Sequence, residues 1–158
     1  MRSIIFALVA ACMLTSAGET CAQRIATRER TPKIKTRHWL DDIVPQQAEY
    51  TYIEFIRSTS LPCIESCRKI KHYTDTADNP FRVVLITHEA PDLIDRRIRE
   101  CLGGYVGLLI DDSGRLFDDF GVRYVPFGII LDKKRRAVWF GNPLTTDNGL
   151  FRRITAEE

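Results

Sequence analysis

The 158-residue chain carries 23 Lys and Arg against 21 Asp and Glu, a formal net charge of +2, and 44% of its residues are hydrophobic. That length fits one domain behind a targeting segment, and so balanced a charge singles out no class of partner. Of its five cysteines, two precede the expected domain; the remaining three are an odd number, which excludes a fully paired disulfide scaffold.

The chain opens "MRSIIFALVAACMLTSAGETCAQ": one Arg, an apolar stretch from Ile4 to Leu14, then small residues. This is the pattern of a secretory signal peptide over residues 1–22, with cleavage after Ala22. A second reading takes "VAAC" as a lipoprotein processing site, and a membrane anchor is expected only if Cys12 is lipidated. Either way the expected location is exported, periplasmic or secreted, where disulfides are permitted. Cys12 and Cys21 are lost with the signal, leaving Cys63, Cys67 and Cys101. Residues 23–37 form a basic arm, six Arg or Lys against one Glu, which reads as a solvated lead into a domain spanning residues 38–158. Export removes nucleic acid as a partner.

Within the domain, "RHWLDDIVP" offers a short helical turn or edge segment bearing Trp39, Leu40, Ile43 and Val44, stopped by Pro45. "YTYIEFIR" is aromatic and β-branched and reads as a buried strand. "CIESCRKIKHYTDTA" repeats Ile64, Cys67, Ile70 and Tyr73 at helical spacing, and Asn79-Pro80 ends it. "FRVVLITHE" is a second buried strand. "APDLIDRRIRECLGG" reads as one helix with Leu93, Ile94, Ile98, Cys101 and Leu102 on its core face, stopped by Gly103-Gly104. An extended "YVGLLIDDSG", a short helix "RLFDDFGV", a hairpin of Phe127–Leu131 with Ala137–Phe140, and a closing helix "NGLFRRITAEE" complete the chain. The predicted class is α/β, with a parallel crossover at one end of a mixed sheet and an antiparallel hairpin at the other.

Two stretches carry a resemblance. "YIEFIRSTSLPC" is similar to the strand and active-site loop of TlpA/ResA-type thiol–disulfide oxidoreductases, whose pattern is roughly Phe-Trp-Ala-x-Trp-Cys-x-Pro-Cys. "FGVRYVPFGIILDKKRRAVWFG" resembles their second signature, a Gly-Val, a cis-proline, a strand ending in Asp, a turn and a closing strand. The similarity runs over residues 38–142 and implies a thioredoxin-like fold, a central mixed β-sheet flanked by helices. Aligned from Phe55, Thr59 takes the tryptophan place, Ser60 the first cysteine, Pro62 the motif proline and Cys63 the second cysteine. Exchange begins with a thiolate, which a helix N-terminus favours. A serine hydroxyl cannot replace that attacker, though it can hydrogen-bond the Cys63 sulfur. The resemblance therefore implies an atypical single-cysteine member acting through Cys63 on a cysteine-containing protein or peptide, with a redox partner and no cofactor. It also implies that Val125, before Pro126, pairs with an extended partner chain. A redox-inactive module would keep that groove.

Other readings stay open. Cys67 stands one turn beyond Cys63 as a possible second thiol or a small core residue; the i, i+4 spacing is poor for a disulfide. Glu54 is either a buried acid that shuttles protons or a strand-edge carboxylate facing solvent or an Arg. A copper site of the Sco-like kind also spaces two cysteines four apart, but Cys63 lies too far beyond Phe55, and His72 and His88 read as surface residues; no metal is expected. A peroxidase would match the Ser60–Cys63 spacing but lacks the proline expected at Ile56.

Overall fold

Thr51–Phe55, Arg82–Thr87 and Val106–Ile110, runs rich in aromatic, β-branched or aliphatic residues, form β1, β2 and β3. All but the first residues of β1 and β2 are buried, as expected of strands covered on both faces. The computed structural model describes residues 31–35, 38–78, 80–146 and 148–156. The signal, its cleavage site, Cys12 and Cys21 lie outside the described residues.

The elements follow as β1, α1 (Leu61–Thr76), β2, α2 (Arg96–Arg99), β3, α3 (Arg115–Asp119), β4 (Phe127–Leu131), β5 (Ala137–Gly141) and α4 (Asn148–Ala156). They build a five-stranded sheet in the order β3-β2-β1-β4-β5. β1 pairs in parallel with β2, and β2 with β3; β4 runs antiparallel to both β1 and β5. Central β1 thus leads through a short loop into α1, and that loop lies at the same end of the sheet as the entry to antiparallel β4.

Two cores sandwich the sheet. On one face α1, α2 and α4 pack over Tyr52, Val83, Leu85, Leu108 and Ile130. Phe151 of α4 meets Tyr73, Phe81 and Tyr52 with ring centroids 5.2, 5.5 and 5.8 Å away, contacts that add about 0.5–1.5 kcal/mol each beyond burial. On the other face α3 lays Leu116 and Phe120 over Phe55, Ile86 and Phe127, and Ile34 and Trp39 pack alongside. Thr31 and Ile34 of the basic arm are therefore in contact with the domain: the Thr31 N–H donates to Arg135 O at 3.3 Å.

One expected element differs. The stretch after Ala90 is two pieces, a 3-10 turn at Pro91–Leu93 and the single-turn α2. Asp95 adopts extended backbone and its carboxylate accepts the Arg97 N–H at 2.8 Å, starting a new helix where a continuous one was expected. Leu93 consequently points outward, 64% exposed, while Ile94, Ile98 and Cys101 still reach the core. Val44 is likewise exposed, because Asp41 and Asp42 take left-handed backbone (φ 53° and 56°) and turn the chain.

Candidate functional site

Ser60 is the N-cap of α1, with extended backbone (φ −75°, ψ 121°), and its carbonyl accepts the Ile64 N–H at 3.0 Å. Pro62 stands in the first turn, where a missing N–H costs nothing. The Ser60 side chain makes no capping bond to the helix; its hydroxyl lies by the Cys63 sulfur, where it favours the thiolate. Cys63, in the first turn of α1, is fully buried. Its sulfur accepts the Arg57 N–H at 3.4 Å. Burial pushes the thiol pKa up, the Glu54 and Glu89 carboxylates add to that, and the Arg57 and Ser60 hydrogen bonds offset only part.

Cys67 is buried one turn further on, its thiol pushed well up by burial and then by Glu54. Cys63, Cys67 and Cys101 are all free thiols. Cys101 donates to Arg97 O at 3.4 Å from its buried position in the α2 packing.

Glu54 is fully buried in mid-sheet, paired in register with Leu85 on one side and Gly128 on the other. The Tyr52 hydroxyl donates to its Oε2 at 2.7 Å, while Oε1 has no hydrogen-bond partner. Desolvation raises its pKa to about 7, with the Ser66 and Tyr52 hydroxyls pulling against that rise. Gly128 makes this arrangement possible. A Cβ at that position would stand 2.6 Å from the Tyr52 hydroxyl.

Sequence reasoning missed what anchors the loop. The Ser58 N–H and hydroxyl donate to the two oxygens of Glu89 at 2.6 and 3.0 Å, and the Thr87 hydroxyl donates to Glu89 Oε2 at 2.9 Å. Ser58 and Thr87 are fully buried, so this carboxylate ties the β1–α1 loop to the end of β2. A serine just past the end of one strand and a glutamate just past the end of its neighbour were the visible signal.

The Val125–Pro126 peptide is cis. Val125 lies beyond the last rung of the β1–β4 ladder, which ends at Phe55 and Phe127. Beside it Ile56, Arg57, Phe117 and Tyr124 line a shallow pocket. Leu61 (67% exposed) and Tyr124 (51%) add apolar surface on either side of the loop. Ser60, Pro62, Cys63, Glu54 and the Val125–Pro126 edge thus all belong to one end of β1. His72 and His88 are both exposed, His88 against Phe117 at 4.7 Å. Among the described residues no three of His, Cys, Asp and Glu come together as a metal-ligand group.

No protein-family model matches the chain, and a search of curated proteins finds no match. Solved structures do match. The thioredoxin domain of a thiol-disulfide oxidoreductase from Bacteroides vulgatus is 18% identical, superposes with a TM-score of 0.59, and is covered over 99% of its length by 82% of this chain. The exposed lipoprotein thioredoxin Etrx1 of Streptococcus pneumoniae gives 18% identity and a TM-score of 0.52, over 74% of this chain and 89% of that one. A cysteine-to-serine mutant of PrxQ from Xylella fastidiosa gives 11% and 0.60, over 84% and 96%. The fold is thioredoxin-like. At these identities the likeness extends to the architecture and leaves the chemistry to the residues themselves. Among the described residues no helix is long and apolar enough to cross a membrane.

Proposed function

We propose that this chain is an exported thioredoxin-fold module that holds an extended polypeptide along the Val125–Pro126 edge and leaves its disulfides unchanged. The state of Cys63 carries the reading. Its sulfur is fully buried, free, and less acidic than an ordinary thiol, whereas exchange starts from an accessible thiolate. At the helix cap, where the resemblance has its exposed attacker, stands Ser60. The docking edge needs none of this chemistry: an unpaired residue before Pro126, flanked by Tyr124 and Leu61, suits an extended chain.

Glu54 favours a second reading, slow single-thiol exchange at Cys63. A buried acid with a pKa of about 7 is suited to accept the thiol proton. In that case Cys63 is the nucleophile, Ser60 and the Arg57 N–H its hydrogen-bonding neighbours, and Pro62 a fixed element of the first turn. The substrate is then a cysteine-containing protein or peptide, with a separate redox partner.

Reduction of insulin by dithiothreitol, followed with and without the protein, separates the two. The binding reading expects no acceleration, together with a Cys63 that reacts with a disulfide reagent more slowly than a free thiol such as glutathione at the same pH. It also expects unfolded, carboxymethylated lactalbumin to bind equally to wild type and Cys63→Ser, and several-fold more weakly to Tyr124→Ala. Turnover that disappears in Cys63→Ser overturns it in favour of the enzyme. Ser60→Cys is expected to form a disulfide with Cys63, a bond whose absence rejects the alignment of the loop.

A further inference from the structure

At the opposite end of β1 from Cys63, on the face that carries α3, a pocket is lined by Arg82, Arg135, Trp39, Ile53, Val84 and Leu131, among others. Arg82 begins β2 and its Nε is buried with no hydrogen-bond acceptor. Its guanidinium carbon lies 6.0 Å from the centre of the Trp39 ring. Arg135 is close enough to repel it: burial, then Arg135, push the Arg82 pKa down. Arg135 is held in place by the chain. It takes left-handed backbone (φ 61°), its Nη2 donates to Pro32 O at 3.3 Å, and its carbonyl accepts the Thr31 N–H.

Asp132 also borders the pocket, but its carboxylate is engaged elsewhere. Oδ2 accepts from Arg136 Nε at 2.7 Å, and Oδ1 accepts the Lys134 and Arg136 N–H groups at 2.8 and 2.9 Å. Among the described residues no carboxylate pairs with Arg82 or Arg135. An unpaired, partly desolvated charge is costly, and an arginine cannot relieve the cost by losing its proton. A second guanidinium beside it makes the site a demand for an anion. The aliphatic floor and the Trp39 ring make it a demand for an apolar body attached to that anion.

We propose that this pocket binds an amphipathic carboxylate, whose oxygens bond Arg82 and Arg135 while its hydrocarbon or aryl body lies on Ile53, Val84 and Leu131 beside Trp39. The site is separate from the cysteine end and independent of how that end functions. A free small acid and the C-terminal carboxylate of a peptide share this chemistry.

Calorimetry on the full chain with octanoate and with acetyl-leucine, each against its amide, tests the proposal and tells the two sources apart by which acid binds more tightly. One-site binding is expected, with each amide about tenfold or more weaker, the value of one charged hydrogen bond. Arg82→Met and Arg135→Gln are each expected to weaken the acid at least about tenfold and to leave the reaction rate of Cys63 unchanged. Unliganded Arg82→Met, which keeps the apolar stem and removes an unsatisfied charge, is expected to melt no lower than wild type. Absence of saturable binding by both acids at about 10 mM, amides that bind as well as acids, or affinity retained in Arg82→Met each overturns the proposal. So does an unliganded Arg82→Met that melts below wild type, since the guanidinium would then be structural.

Discussion

The two ends of β1 hold buried charge of opposite sign, and they meet the same desolvation differently. At the α1 end Glu54 is buried with one oxygen unpartnered, and it adapts by holding its proton up to about pH 7. At the other end Arg82 is also buried at an unpartnered nitrogen, but no accessible pH removes its charge. An acid in a dry site becomes a titrating group; an arginine in one becomes a binding site. The contrast comes from the intrinsic pKa of each side chain and the water each has lost.

The largest test of that contrast lies in Glu54. The folded state keeps this proton over a range in which the unfolded chain has released it, so stability falls as pH rises from about 4.5 to about 7. By this linkage wild type loses roughly 3 kcal/mol between about pH 4 and pH 8, and Glu54→Gln is expected to remove that loss, measured by urea unfolding across pH. Arg82→Met leaves the slope in place, so the same experiment distinguishes the ends. Gly128→Ala comes next. It drives the Tyr52 hydroxyl off Glu54, costs about 1–3 kcal/mol, and moves the Glu54 midpoint above 7, read from its carboxyl band in the infrared.

Glu89→Gln is expected to cost about 1–2 kcal/mol through weaker bonds to Ser58 and Thr87, and to speed Cys63 alkylation because one of the carboxylates that raise its pKa is gone. The smallest effect belongs to Ser60→Ala. Ser60 makes no side-chain capping bond, so stability changes by no more than about 0.5 kcal/mol. Alkylation of Cys63 slows about two- to threefold from the lost hydrogen bond.

The strands, α1 and the closing helix were legible because their patterns are local: β-branched and aromatic runs for β1 to β3, and Ile64, Cys67 and Ile70 at helical spacing for α1. The break before α2 was hidden because Asp95 looks like one more helical surface residue until its carboxylate is seen capping Arg97. The orientation of Glu54 was illegible for another reason. Both faces of the sheet are covered, so strand parity points it at one core or the other and never at water. The Ser58–Glu89 clamp and the Arg82–Arg135 pair join residues distant in the chain, and no spacing rule reaches that far.

The segment that carries Trp39 and Pro45 also governs how the sheet meets other molecules. It runs along β3, the outer strand on that side: Trp39 bridges Leu109, Ile110 N–H donates to His38 O at 2.9 Å, and Gln46 N–H to Gly104 O at 2.9 Å. Gly107 has no side chain because Pro45 Cδ and Ile43 O would stand 2.5 and 2.8 Å from a Cβ there. The chain has thus capped one of its two open flanks with its own backbone, a safeguard against edge-to-edge aggregation. Among the described residues, growth of the sheet by a foreign strand is directed to β5, at the far side.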